Sequence, residues 1–181
     1  MDNLEEKFIS REEIFDGAVL KVVRDTVLLP NGKEATRELC LHKGAVAIIP
    51  VLDDGRILME RQYRYAHSRM FFEIPAGKLD SADEDHLEAA KRELREETGA
   101  IADKITYMGV IDPTPALINE RIYLYLAEGL RFGDRELDDD EFLTVEAHPL
   151  EELFDMVMRG EIMDSKTQIA ILKLWYLRNR G

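Results

Sequence analysis

The amino-acid sequence predicts an α+β protein in which a mixed β-sheet carries helices on its faces. The order of periodic segments carries this first: many strands, one helix, more strands, then two helices, which is neither an alternating βαβ series nor an all-β chain. The apolar run Ala45-Val46-Ala47-Ile48-Ile49-Pro50-Val51-Leu52 has strand length and is stopped by Asp53-Asp54-Gly55. With 181 residues, 45% of them hydrophobic, the chain suits one globular domain, or one domain with a small extension.

Val19–Leu29 reads as a strand, Pro30-Asn31-Gly32-Lys33 as a turn, and the chain through Leu41 as a second strand, giving an N-terminal hairpin. Arg56–Tyr65 pairs back on the apolar run, and Phe71-Phe72-Glu73-Ile74 is a short strand ended by Pro75-Ala76-Gly77. Ser81-Ala82-Asp83-Glu84 has the Ser-x-x-Glu capping pattern, so a helix is expected to start there and to close at Gly99. Strands are expected near Ile105–Ile111, Arg121–Ala127 and Phe142–Ala147. Pro149 opens a helix over Leu150–Met158 that Gly160 ends, and a last helix runs from about Lys166 to Arg178 with Trp175 as a core residue.

Net charge is -13, which disfavours a sequence-independent grip on nucleic acid. The single cysteine, Cys40, rules out an internal disulfide. The N-terminus lacks the basic start and apolar run of a signal peptide, and no stretch has the length of a membrane span, so a soluble, cytoplasmic protein is expected.

The segment Glu84–Gly99 holds most of the chemistry. At about 100° per residue, Glu93, Glu96 and Glu97 share one narrow sector, with Leu87 and Leu94 about a quarter turn away. Like charges at these spacings repel, and in a partly buried site they raise each other's pKa. A divalent cation relieves both effects, and clustered carboxylates suit Mg²⁺ or Mn²⁺. A solvated acidic face is the plainer explanation of the same pattern.

Gly77, Glu84 and Arg92-Glu93-Leu94-Arg95-Glu96-Glu97-Thr98-Gly99 together resemble the Nudix box. Glu84 precedes Arg92 by that family's seven-residue gap. Six residues separate Gly77 from Glu84, one more than in the pattern, so counting forward from Gly77 would put Asp83 in the acid position. Ala100 is smaller than the usual aliphatic last residue of the box. Gly44–Pro50, Arg61-Gln62-Tyr63-Arg64-Tyr65, Glu73–Leu79 and Pro115 look like the ADP-ribose pyrophosphatase branch of the family.

The resemblance implies an α/β/α sandwich around a mixed sheet with an N-terminal β-hairpin extension. Residues 1–42 would be the hairpin and dimerisation region, and 43–181 the hydrolase domain. It implies Mg²⁺ or Mn²⁺ held by Glu93, Glu96, Glu97 and the Ala76 carbonyl, with Glu96 and Glu97 counted also as catalytic. Arg92 would pair with Glu84, and Gly77 and Gly99 would shape the loop and the helix end. The base that takes a proton from water would be Glu141, with Asp140, Asp139 and Glu120 as alternatives. Arg64 and Glu120 would contact substrate, as would Arg37 and Glu38 across a homodimer interface, against the plain alternative of an exposed strand pair. The implied reaction splits the pyrophosphate bond of ADP-ribose or a related nucleoside diphosphate sugar. GDP-mannose, a dinucleoside polyphosphate or another nucleotide stand as alternative substrates, and a nucleotide-sugar sensor without catalysis as an alternative function. No nucleic-acid or membrane partner is expected.

Overall fold

The computed structural model describes residues 3–137 and 141–179. The chain forms two compact units, one of residues 1–43 with 114–120, the other of residues 44–113 with 121–181.

The first unit is a three-stranded antiparallel meander of β1 (Lys7–Asp16), β2 (Lys21–Leu28) and β3 (Glu34–Leu41). The expected turn joins β2 to β3, where Gly32 N–H donates to Leu29 O (2.9 Å) and Lys33 N–H to Asn31 Oδ1 (3.0 Å). Strand β1 is an addition to the hairpin expected from sequence. Every residue in it is exposed, and register shifts at Phe8/Ser10 and Glu13/Phe15 break its alternation, so it leaves no period-two apolar signal. Its anchor is Arg11, which grips buried Asp25 through two hydrogen bonds of 2.7 Å. The 114–120 segment belongs to this unit because Cys40 N–H donates to Leu117 O (2.8 Å) and His42 N–H to Asn119 Oδ1 (2.7 Å).

The second unit is the expected mixed-sheet α+β arrangement, except that β4 and β5 do not form the expected hairpin: they meet only at a Val51–Ile57 bridge and then enter different sheets. Strands β4 (Ala45–Pro50), β7 (Ala76–Lys78), β8 (Ala100–Ile111) and β9 (Ile122–Phe132) form a sheet in the order β7-β4-β9-β8, with β4 and β9 parallel. Strands β5 (Ile57–Arg64), β6 (Arg69–Glu73) and β10 (Leu143–His148) form an antiparallel sheet in the order β10-β5-β6. Helix α1 (His86–Thr98) covers one face of the mixed sheet, and α2 (Leu150–Met158) and α3 (Ser165–Asn179) contribute to the core on the other.

Strand β4 lies between these layers, which is why its sequence is apolar without interruption. Ala45, Ala47 and Ile49 pack with Leu150, Leu153, Ile171 and Leu174, while Val46 and Ile48 pack with Ala89, Ala90 and Leu94. Trp175 stacks on Phe154 at 4.3 Å between ring centroids and packs against the first of these cores.

Helix α1 begins later than the capping pattern predicts. Asp85 is its N-cap, accepting from Leu87 N (2.8 Å) and Glu88 N (3.1 Å). Glu84 is drawn instead to Asp80 N (2.6 Å) and Arg92, so it closes a loop rather than a capping box. At the other end Gly99 adopts φ +73° and donates to Arg95 O (2.8 Å). A Cβ there would lie 2.6 Å from Gly133 O, so the position requires glycine on both grounds.

Candidate active site

The C-terminal half of α1 carries the acids. Leu94 is 1% exposed and anchors the helix to the sheet, and this turns Glu93 and Glu97 inward, to 8% and 2% exposure. Glu96 is half-buried. Arg92 stands among them: Nη1 donates to Glu93 Oε1 (2.7 Å) and Glu96 Oε2 (3.1 Å), and Nη2 to Glu84 Oε1 (3.3 Å) and Lys78 O (3.3 Å). Glu84 rather than Asp83 is therefore the acid that meets Arg92, and the longer loop after Gly77 is absorbed before it. Among the described residues, no three carboxylates, imidazoles or thiols are gathered into a ready cation cage. One guanidinium nitrogen, Arg92 Nη1, bridges Glu93 and Glu96.

The first two residues of β7 complete this side of the site. Ala76 N–H donates to Glu97 Oε2 (2.9 Å). Gly77 lies so close under Glu93 that a Cβ would sit 2.0 Å from its carboxyl carbon. Gly77→Ala is therefore expected to displace the Glu93 carboxylate. Activity should fall about a hundredfold with a stability loss of about 1–3 kcal/mol. Steady-state kinetics beside thermal melts check both parts.

Burial dominates the electrostatics. It pushes Glu93 up to about 7, against the pull of Arg92 and aided by Glu96 and Glu141. It also raises Glu97 well above the carboxylate range, reinforced by Glu60, Glu93 and Glu141 and opposed by the Ala76 N–H. Glu141 is thus close enough to repel both helix acids. Asp139 and Asp140, the neighbouring alternatives for the base, lie outside the described residues.

Sequence reasoning did not single out Glu60 or Glu73. They face each other across β5 and β6, and both are 3% exposed. Glu73 accepts from Arg64 Nε (2.7 Å) and Nη2 (3.0 Å) and from Lys166 Nζ. Burial pushes Glu73 up, but the Arg64 hydrogen bonds and the Lys166 charge hold it below its ordinary value. Glu60 is pushed up by burial and by Glu73, and its Oε1 is buried without a hydrogen-bond partner. Single acids in separate strands give no periodic signal, and only the pairing register brings them together.

Arg37, Glu38 and Glu120 belong to the first unit. Arg37 Nε donates to Glu6 Oε2 (2.9 Å), Glu38 pairs with Arg24 (3.0 Å), and Glu120 lies 3.7 Å from His42 Nδ1. Arg64 is in the second unit with the helix acids, and its charge is felt by Glu97 and Asp164.

The donor set suits a hard divalent cation: carboxylate oxygens packed against a glycine backbone, with Glu93 and Glu97 both raised by burial and by neighbouring acids, beside an orphaned buried oxygen. The NUDIX domain model matches residues 41–167. The chain belongs to the Nudix family. It is 43% identical to an ADP-ribose pyrophosphatase of Bacillus subtilis (strain 168), over 94% of this chain and 93% of that one. To an ADP-ribose pyrophosphatase of Mycobacterium tuberculosis it is 42% identical, over 91% and 80% of the two chains. A methanol dehydrogenase activator of Bacillus methanolicus is 40% identical over 92% and 91%. A crystal structure of an ADP compounds hydrolase superposes with a TM-score of 0.84 over 98% of this chain and 96% of its own, at 22% identity, which shows that the fold is shared. This Nudix chain, among its described residues, has no helix long and apolar enough to cross a membrane.

Proposed function

We propose that this Nudix protein is a metal-dependent pyrophosphatase that splits ADP-ribose, or a closely related nucleoside diphosphate sugar, into a nucleoside monophosphate and a sugar phosphate. The observation that carries the reading is the pairing of two buried carboxylates, Glu93 and Glu97, against the Ala76-Gly77 backbone. The near-full-length likeness to two ADP-ribose pyrophosphatases supports the substrate class.

Glu93, Glu96, Glu97 and the Ala76 carbonyl would hold Mg²⁺ or Mn²⁺, which when bound neutralises the diphosphate and acidifies a water. The chain's own residues do the rest. Arg64 offers a planar guanidinium to the diphosphate. Arg92 ties Glu84 and the Lys78 carbonyl to the helix, fixing the loop that carries Gly77. Glu141 accepts the proton of the attacking water, from a position where its charge already reaches Glu93 and Glu97.

The protein is proposed to act as a cytoplasmic homodimer. The exposed Phe8, Ile14 and Phe15 of β1 supply apolar surface for pairing, and Arg37, Glu38 and Glu120 would meet substrate there. Chromatographic measurement of the monophosphate products formed from ADP-ribose, GDP-mannose and dinucleoside polyphosphates, with Mg²⁺, tests the reading. Turnover highest on ADP-ribose and abolished by chelator is expected; equal or greater turnover of the polyphosphates would replace the substrate. Glu141→Gln is expected to lower kcat by about 10²–10⁴-fold while leaving ADP-ribose affinity and metal binding by calorimetry nearly unchanged. A silent Glu141→Gln beside a dead Glu120→Gln would move the base to Glu120.

A further inference from the structure

The first turn of α3 holds a buried lysine that the proposed mechanism does not use. Lys166 is 8% exposed, and its ammonium lies against Glu73 and 3.2 Å from Asp164 Oδ2. Asp164 in turn accepts from Thr167 N (2.8 Å) and Thr167 Oγ1 (2.6 Å), and Thr167 Oγ1 accepts from Ile74 N–H (3.0 Å). Three neighbouring residues of one helix start therefore grip Glu73 by its carboxylate and Ile74 by its backbone. Through Pro75 these two residues lead directly into β7, which carries Ala76 and Gly77.

The same Glu73 carboxylate takes the Nε and Nη2 edge of Arg64. This edge-on contact leaves the Nη1 end of the guanidinium without a hydrogen bond among the described residues, and so directs it away from the buried pair. Charge balance gives Lys166 a second effect. Glu60 and Glu73 face each other across two strands, both buried, and Arg64 and Lys166 are cations acting on both. Were Lys166 absent, Arg64 alone would have to compensate Glu73 and would be drawn inward, with less of its field left for an anion outside.

We infer that Lys166 is a positioning residue for diphosphate binding: through Glu73 it sets where Arg64 presents its guanidinium and keeps that charge available to the ligand. The inference rests on the proposed hydrolysis of a nucleoside diphosphate sugar by this site.

A double-mutant cycle tests it. Lys166→Met is expected to raise KM for ADP-ribose about tenfold, with kcat changed by less than about threefold. ADP-ribose affinity measured by calorimetry in chelator should weaken by the same factor as KM rises. In an Arg64→Ala background the same change should alter KM by less than about twofold, because its target is gone. Lys166→Arg should restore most of the affinity. Equal KM shifts in both backgrounds, or a lowered melting temperature with wild-type KM, would reduce Lys166 to a purely structural residue and overturn the inference. If Lys166→Met does not fold, Asp164→Asn enters the same cycle, where a smaller KM rise that vanishes with Arg64→Ala is expected and a rise that persists is contrary. A wild-type protein that neither turns over nor binds ADP-ribose removes the functional reading and this inference together. Wild-type turnover with no Lys166–Arg64 coupling removes the inference alone.

Discussion

Glu97→Gln is expected to lower kcat by on the order of 10²–10³-fold without lowering the melting temperature measured in chelator. The two halves have one cause. Glu97 is 2% exposed, and burial raises its carboxyl well above the ordinary range, so the protein without a cation is most stable with that group uncharged. Glutamine has the same shape, stays neutral and can still accept the Ala76 N–H. It cannot supply the negative oxygen that a cation needs. A pH series sharpens the test. A carboxyl whose folded pKa lies above its unfolded value binds its proton more tightly when folded. Stability in chelator should therefore fall as pH rises from near 4.5 through about 7 for Glu93, and continue to fall above that for Glu97. The Gln variant should lose Glu97's share of that decline from near pH 4.5 upward, and all of it above about 7, read as about 3 °C of melting temperature per kcal/mol. Near-normal activity in Glu97→Gln would remove Glu97 from the cation site.

Arg92→Met should produce the largest stability change, a loss of about 3–5 kcal/mol in chelator, together with loss of turnover. Arg92 is the common partner of Glu84, Glu93 and Glu96, and it also holds the Lys78 carbonyl. Taking it away leaves three partly buried acids to repel one another and frees the loop behind Gly77. Added Mg²⁺ should recover part of the lost stability in Arg92→Met, because a cation at Glu93 and Glu96 substitutes for the missing charge. Melts with and without Mg²⁺ separate this from a plain packing defect, which the ion would not mend.

The helix acids were legible in the sequence because positions 93, 96 and 97 of one helix must share a face. The mixed sheet was legible because strands and helices follow one another in neither an alternating nor an all-β order, and because β4 is apolar at every position. Glu60 and Glu73 were hidden because their meeting depends on strand register, which single strands do not encode. Lys166 was hidden because lysine is rarely buried, and only its two carboxylate partners make that position tolerable. Strand β1 was missed because a strand exposed on both faces carries no alternation. The Ser81-x-x-Glu84 pattern misled because Asp85 is the better cap and Glu84 has a stronger partner in Arg92.

The layering of β4 has a practical corollary for spectroscopy. The chain has one tryptophan, and Trp175 packs only with the layer that receives Ala45, Ala47 and Ile49. Its emission is a one-sided reporter. Cavity-forming changes at Ile49 or Leu153 will shift the spectrum of the native protein, whereas equal damage at Val46, Ile48 or Leu94 will stay dark until the whole unit melts.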